Sequence, residues 1–329
     1  LKRKDYEISV ISCRNGERSK FFLEKSIKLF SLHGEKKENK LLRKINTYGR
    51  LRKIVINEKV DIIIAVDVAL YLYLLPLQIQ HLCKCIAWEH FNYYIANNYT
   101  IKLARKLAAK YADAVVVLGK NDLNNYTNHI KNIKNIKYIY NPIAVNIDPS
   151  ANMESKNIIA VGRLAKQKGF DLLIKSWSEL EKDFPDWNLN IFGEGVLRET
   201  LEKQIQLYNL SQIHLRGYSK NIDLELLNSS IFVLSSRYEG FVLVLMEAQA
   251  KGLPCVAFNC KEGPAEIIDD GVNGFLVEPL NTEMLAQKLK ILMENEELRN
   301  QFSKKSTKDL DRFNTDNIIN EWVGLIESI

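Results

Sequence analysis

From Glu7 onward the chain alternates short apolar runs with longer stretches whose apolar residues recur every three or four positions. That alternation leaves few folds open, because short strands separated by helices must pair side by side in a parallel sheet with helices covering both faces. Strands are expected at Glu7–Ile11, Asp61–Val66, Lys84–Trp88, Ala114–Leu118 and Lys137–Ile139. Asn141-Pro142 then breaks the pattern, and the chain stays polar up to Ser155 before the alternation restarts. The second set of strands is expected at Asn157–Val161, Leu189–Phe192, Ile213–Arg216, Ile231–Leu234, Pro254–Phe258 and Gly274–Val277. Between them lie helical patterns such as Phe170–Asp183, where Leu173, Trp177, Leu180 and Phe184 fall on one face. The prediction is an α/β chain of two doubly wound domains, divided after Pro142. Ligands of such sheets bind beyond the carboxyl ends of the strands, so the loops leaving the strands are where chemistry is sought.

A length of 329 residues suits two domains, and 46% hydrophobic with 26% charged residues is a globular balance. The five cysteines are scattered, without the paired spacing of a zinc site or a disulfide framework, which fits a reducing, cytoplasmic setting. The longest apolar run, Val68 to Leu77, contains Pro76 and falls far short of the roughly 20 residues of a membrane-spanning helix. Charge is unevenly spread. Residues 1–150 carry 26 Lys+Arg against 13 Asp+Glu, whereas the remainder carries 20 against 27. A basic first half fits either a solvated surface or peripheral contact with an anionic membrane at the inner face of the cell. No nucleic-acid-binding motif accompanies it. The chain opens at Leu1 in a charged stretch, without the central strand and tight turn that normally begin a doubly wound domain, so those are expected to lie upstream.

Three strand exits carry candidate chemistry. In Val161-Gly162-Arg163-Leu164-Ala165-Lys166-Gln167-Lys168-Gly169, a glycine permits close backbone approach at the entrance to a helix, whose N-terminus favours anions. Arg163 and Lys168 add two cations suited to a diphosphate, although solvated cations near a loop look the same. In Ser235-Ser236-Arg237-Tyr238-Glu239-Gly240-Phe241, the carboxylate of Glu239 stands ready for sugar hydroxyls just before a helix expected over Val242–Ala250. Glu247, about two turns on, can accept both hydroxyls of a ribose, though either acid alone reads as a surface residue. The third exit is Ala87-Trp88-Glu89-His90-Phe91, where His90 could donate a hydrogen bond across an interdomain cleft. Gly193-Glu194-Gly195 and Gly263-Pro264-Ala265-Glu266 offer further glycine turns. There is no dinucleotide fingerprint, P-loop, nucleophile elbow or Asp-x-Asp pair, which points to metal-independent chemistry and away from an NAD-dependent dehydrogenase.

Together these residues resemble the retaining glycosyltransferases of family 4, with the GT-B architecture of two Rossmann-like domains facing across a cleft. The match runs from Asn157 to Val277: Gly162-Arg163-Leu164 with Lys168-Gly169, the Glu-x7-Glu pair Glu239 and Glu247, and the segments 247–254 and 263–274. Weaker similarity covers Trp88-Glu89-His90 and Tyr140-Asn141-Pro142. The resemblance implies an acceptor domain over residues 1–142, a donor domain over 143–313, and a helix over 314–329 that packs back on the first. It implies catalytic roles for Arg163, Lys168, Glu239 and His90, and donor contacts from Gly162, Gly193, Gly240, Phe241, Val242, Glu247 and Glu266. Val242 departs from the family, which often has glycine or proline there. The expected reaction moves a hexose from a nucleoside diphosphate sugar, most commonly UDP-linked in similar proteins, to a saccharide or lipid-linked saccharide in cell-surface polysaccharide synthesis. Neither cofactor nor metal is expected. An epimerase or phosphorylase of the same architecture, or an inactive sugar-nucleotide-binding protein, are the alternatives.

Overall fold

The structure is a computed structural model that describes residues 6–13, 23–32, 40–94 and 98–329. In the first half, β1 (Ser9–Ser12) and β2 (Lys28–Ser31) pair in parallel as a two-stranded sheet of their own. The helix α1 (Lys40–Asn57) follows, and then strands and helices alternate: β3 (Ile62–Val66), α2 (Tyr71–Ile79), β4 (Lys84–Trp88), α3 (Tyr99–Tyr111), β5 (Ala114–Val117), α4 (Lys120–His129) and β6 (Ile136–Tyr138). These four strands form a parallel sheet in the order β3-β4-β5-β6. Side chains along a strand point alternately to the two faces. Cys85, Ala87, Val115 and Val117 therefore pack with Ala104 and Ala108 of α3 and Tyr126 of α4. Ile86, Ala114 and Val116 point the other way, into a core shared with the second half.

The second half runs β7 (Asn157–Val161), α5 (Phe170–Ser178), β8 (Asn188–Phe192), α6 (Arg198–Leu207), β9 (Ile213–Gly217), α7 (Ile222–Leu227), β10 (Ile231–Leu234), α8 (Leu243–Ala250), β11 (Cys255–Phe258) and β12 (Gly274–Val277). Its six parallel strands lie in the order β12-β11-β10-β7-β8-β9. The chain starts in the middle with β7, winds outward to β9, then returns to β10 on the other side. The switch point of this doubly wound sheet is thus the crevice between β7 and β10. The helices α9 (Thr282–Glu294), α10 (Glu296–Ser306) and α11 (Thr315–Glu327) complete the chain.

Asn314 caps α11 by accepting the N–H of Asp316 at 2.8 Å. The buried face of α11, Ile318, Trp322 and Leu325, belongs to the shared core with Ile86, Ala114, Val116 and Ile139 of the first half. The Trp322 ring meets that of Trp88 edge-on at 4.8 Å. Among the described residues no helix is long and apolar enough to cross a membrane.

Two elements differ from expectation. The pattern over Phe170–Asp183 stops being helical at Ser178. Beyond it, Glu181 is drawn inward to accept hydrogen bonds from Trp177 Nε1 at 2.7 Å and from the N–H groups of Ser211 and Gln212 at 2.6 and 3.2 Å. The strand β2 was not anticipated, because only Leu29 and Phe30 of its four residues are apolar.

Candidate active site

The two loops that diverge at the switch point carry the expected residues. After β7 come Gly162 and the exposed Arg163, while Leu164 is fully buried and pins the loop. A single 3-10 turn, Lys166–Lys168, then ends at Gly169, whose φ is 65°. A methyl group there would stand 2.0 Å from the Ser235 carbonyl oxygen, so only glycine lets the β7 loop lie against the β10 loop. The loops are then stitched together. Ser235 Oγ donates to the Lys168 carbonyl at 2.9 Å, the Arg237 N–H to that of Gln167 at 2.8 Å, and Gln167 Nε2 to that of Tyr238 at 3.1 Å. Arg237 forks onto Asp171 at the start of α5 with bonds of 2.7 and 2.6 Å, and reaches the Lys166 carbonyl at 2.9 Å. Burial would raise the Asp171 carboxyl, but the guanidinium outweighs it and holds the group below its usual range.

This stitching brings Lys168 and Glu239 together. Lys168 Nζ lies 2.6 Å from Glu239 Oε1, and the same oxygen accepts from Ser236 Oγ at 2.5 Å. Gln167 Nε2 approaches Oε2 at 3.4 Å. The Lys168 stem runs over Gly162, where a Cβ would sit 3.0 Å from its Cδ. Gly193, at the exit of β8, donates to the Gly217 carbonyl at 2.7 Å beside this loop. Glu247 lies half-buried on α8, and its carboxylate has no hydrogen-bond partner among the described residues. Burial raises its carboxyl above the ordinary value, nearby Asp223 adds to this, and Lys251 opposes it.

The first half meets this site through the segment after β4. Asn92 Nδ2 donates to the Glu239 carbonyl oxygen, and a Cβ at Gly240 would come within 2.8 Å of the His90 carbonyl oxygen. His90 Nε2 is buried and has no hydrogen-bond partner among the described residues. Burial lowers the pKa of this ring, with Asp67 opposing, which favours the neutral imidazole near pH 7. The segment is anchored by Glu89, which is 1% exposed and accepts from Arg105 Nε at 2.7 Å and from Tyr126 OH at 2.6 Å. Arg105 in turn donates to the carbonyls of Tyr93 and Asn92.

Three of the expected donor-contact residues are engaged in contacts within the chain. Glu266 accepts from the Asn121 N–H at the start of α4 at 2.9 Å and from Tyr140 OH at 2.7 Å, so its carboxylate joins the two halves. The Phe241 ring packs 5.5 Å from Tyr140 and 5.7 Å from Phe313, and Val242 is buried at the cap of α8. Glu89, Arg105, Asn92, Ser236 and the Asp171–Arg237 pair were not singled out in the sequence. Only Glu89, an acid at a strand exit beside His90, carried a visible signal. Among the described residues no group of three or more His, Cys, Asp or Glu side chains is arranged to hold a metal ion.

Two Rossmann-like sheets with a charged, partly unsatisfied site between their strand exits define a GT-B transferase. Residues 146–309 match the family model described as Glycosyl transferases group 1. An uncharacterized glycosyltransferase of Haemophilus influenzae is 32% identical over 337 residues, covering 99% of this chain and 92% of that protein. The poly(glycerol-phosphate) alpha-glucosyltransferase of Bacillus subtilis is 30% identical over 240 residues, which cover 71% of this chain but 36% of that enzyme. A TarM variant of Staphylococcus aureus, crystallised with Fondaparinux, alpha-GlcNAc-glycerol and UDP, superposes with a TM-score of 0.69 at 26% identity, over 74% of this chain and 50% of that one. The chain belongs to the group 1 glycosyltransferases and is a transferase enzyme.

Proposed function

We propose that this enzyme is a retaining, family 4 hexosyltransferase that takes its sugar from a nucleoside diphosphate donor, with UDP as the nucleotide, and builds a cell-surface polysaccharide. The observation that carries the reading is the Lys168–Glu239 contact of 2.6 Å at the switch point, with Glu247 half-buried and unpartnered on the adjoining helix. The UDP in the TarM complex and the polymer named for the Bacillus enzyme support the choice of donor and product class. The acceptor is then a saccharide or a lipid-linked saccharide, met at the inner face of the membrane by the basic first half.

Departure of the diphosphate is the demanding step, because negative charge grows on its bridging oxygen. An ammonium group has three N–H donors. Lys168 can keep one on Glu239 and turn the others to the diphosphate, while Arg163, exposed at the β7 exit, closes on the same group. These cations and the amides at the start of α8 stabilise the leaving group without a metal or cofactor. Glu239 holds the sugar hydroxyls and Glu247 the ribose. His90, neutral and with Nε2 unpartnered, donates to the sugar from the opposite wall. Retention follows if the departing phosphate assists the acceptor hydroxyl on the same face, since one acid of the pair is committed to the ribose.

Thermal-shift titration with UDP-hexoses, followed by product analysis with a labelled donor, tests this. Lys168→Ala and Arg163→Ala are expected to lower transfer by about 10²-fold or more, the scale of losing one charge-stabilising donor, with the fold retained. Near-normal transfer in both variants would overturn the assignment, and an isomerised sugar nucleotide as sole product would establish the epimerase instead.

A further inference from the structure

A cavity adjoins the site, and its lining Cys260 lies near enough to Glu239 and Lys168 to feel both charges. It has a volume of about 370 Å³ and lies between the start of α4 and the loop after β11, with Tyr94, Asn121 and Asn124 on one wall and Asn259, Lys261 and Glu262 on the other. That volume falls within the usual range of small-molecule sites, roughly 300 to 1,000 Å³. The cavity belongs to both halves of the molecule, so an occupant would touch each. It is also tied to the site already described. Asn92 Nδ2, which donates to the Glu239 carbonyl, also reaches the Lys261 carbonyl at 3.5 Å. A Cβ at Gly263 would lie 3.1 Å from the Gly240 carbonyl oxygen.

The lining has a definite chemistry. The carboxamides of Asn121, Asn124 and Asn259 are exposed and make no side-chain hydrogen bond among the described residues. Each offers two N–H donors and an acceptor oxygen, which match the vicinal hydroxyls of a sugar. The back wall is rigid, because Tyr94 OH donates to Asn125 Oδ1 at 3.1 Å and Asn125 Nδ2 donates to Glu262 Oε1 at 2.6 Å. The Tyr94 ring is 39% exposed, with Lys261 Nζ 4.1 Å from its centroid. The ammonium occupies the ring face, and Tyr93 and His129 meet the ring at near right angles, so Tyr94 bounds the cavity as a fixed, partly exposed wall. Anions are disfavoured. Among the described residues Lys261 is the one cation of the lining, and the lining Glu262 has Asp122 and Glu266 close enough to interact with it.

We propose that this cavity is a binding subsite for a neutral pyranose ring of the acceptor saccharide, held by the free amides of Asn121, Asn124 and Asn259 beside Tyr94. The inference rests on the glycosyl-transfer reading above, and its test is separable from that reading. Saturation-transfer NMR is recorded on the UDP-saturated protein with methyl α-D-glucopyranoside, methyl α-D-galactopyranoside, N-acetylglucosamine and glycerol 3-phosphate as probes. At least one neutral sugar is expected to bind, and Asn124→Ala and Asn259→Ala are each expected to weaken it about fivefold, the loss of one hydrogen bond. The thermal shift given by UDP should not move in either variant. Absence of binding by every neutral sugar, sugar binding indifferent to both substitutions, or binding of glycerol 3-phosphate alone would each overturn the proposal. Failure of UDP to bind would instead sink the donor reading.

Discussion

At the scale of single residues, the site depends on contacts that no spacing rule announces. Lys168 and Glu239 could be placed on neighbouring strand exits, but their meeting at 2.6 Å depends on the loops being drawn together by Asp171 and Arg237. These two residues hold the turn that carries Lys168 and touch no expected ligand position, so they act as positioning residues. Arg237→Gln is expected to lower kcat for donor turnover about tenfold, the loss of about 1.4 kcal/mol of transition-state stabilisation, with a smaller change in KM. Arg237→Lys should recover only part of it, because an ammonium cannot fork onto both carboxylate oxygens. Steady-state kinetics of UDP-glucose hydrolysis would check this, and equal loss in kcat and stability with no rescue would reduce the pair to a scaffold role. Asp171 and Arg237 were illegible in the sequence for a plain reason. They lie 66 positions apart, and each alone is an ordinary charged residue near a helix start.

At the scale of elements, most strands of the second half were legible because a fully buried parallel strand must be apolar throughout. β10, Ile-Phe-Val-Leu, and β11, Cys-Val-Ala-Phe, are buried at every position. The strand β2 is half-buried and pairs only with β1 among the described residues, so its composition carries little strand signal. The helix α11 shows how an element can be recognised while its partner is not. The resemblance implies a helix over 314–329 that packs back on the first half, whereas the edge-on meeting of Trp322 with Trp88 has no signal in the sequence. Trp322 is 7% exposed and packs in the core that joins both halves. Trp322→Ala should therefore cost about 3 to 5 kcal/mol, as for other buried aromatic truncations. Urea unfolding would show it as a lowered midpoint. It should also disturb His90, whose ring lies 4.3 Å from that of Trp88, and a variant with unchanged midpoint would refute the shared-core role.

For the whole molecule, the boundary between the halves is electrostatically loaded. Burial pushes the Glu262 carboxyl up to about 7, with Asp122 adding and the Asn125 amide opposing. Asp122 rises to about 6, again mainly through burial, with the Tyr93 N–H opposing. Raised carboxyl pKa values mean that the folded chain holds protons the unfolded chain has released. The stabilisation is complete below the ordinary values near 4 and is lost as pH rises toward 7. Melting curves between pH 4.5 and 7.5 should show this decline, and Glu262→Gln should flatten it. An equal slope in the variant would remove Glu262 from the account. Such a boundary could not be foreseen from the sequence, where Glu262 is one acid among forty Asp and Glu residues.

The same boundary narrows to one contact at Gly240, whose α-carbon faces the His90 carbonyl. There the gap between the halves is gauged by a hydrogen atom. Any side chain at that position would act as a shim, forcing the His90 carbonyl or the Gly240 loop to give way.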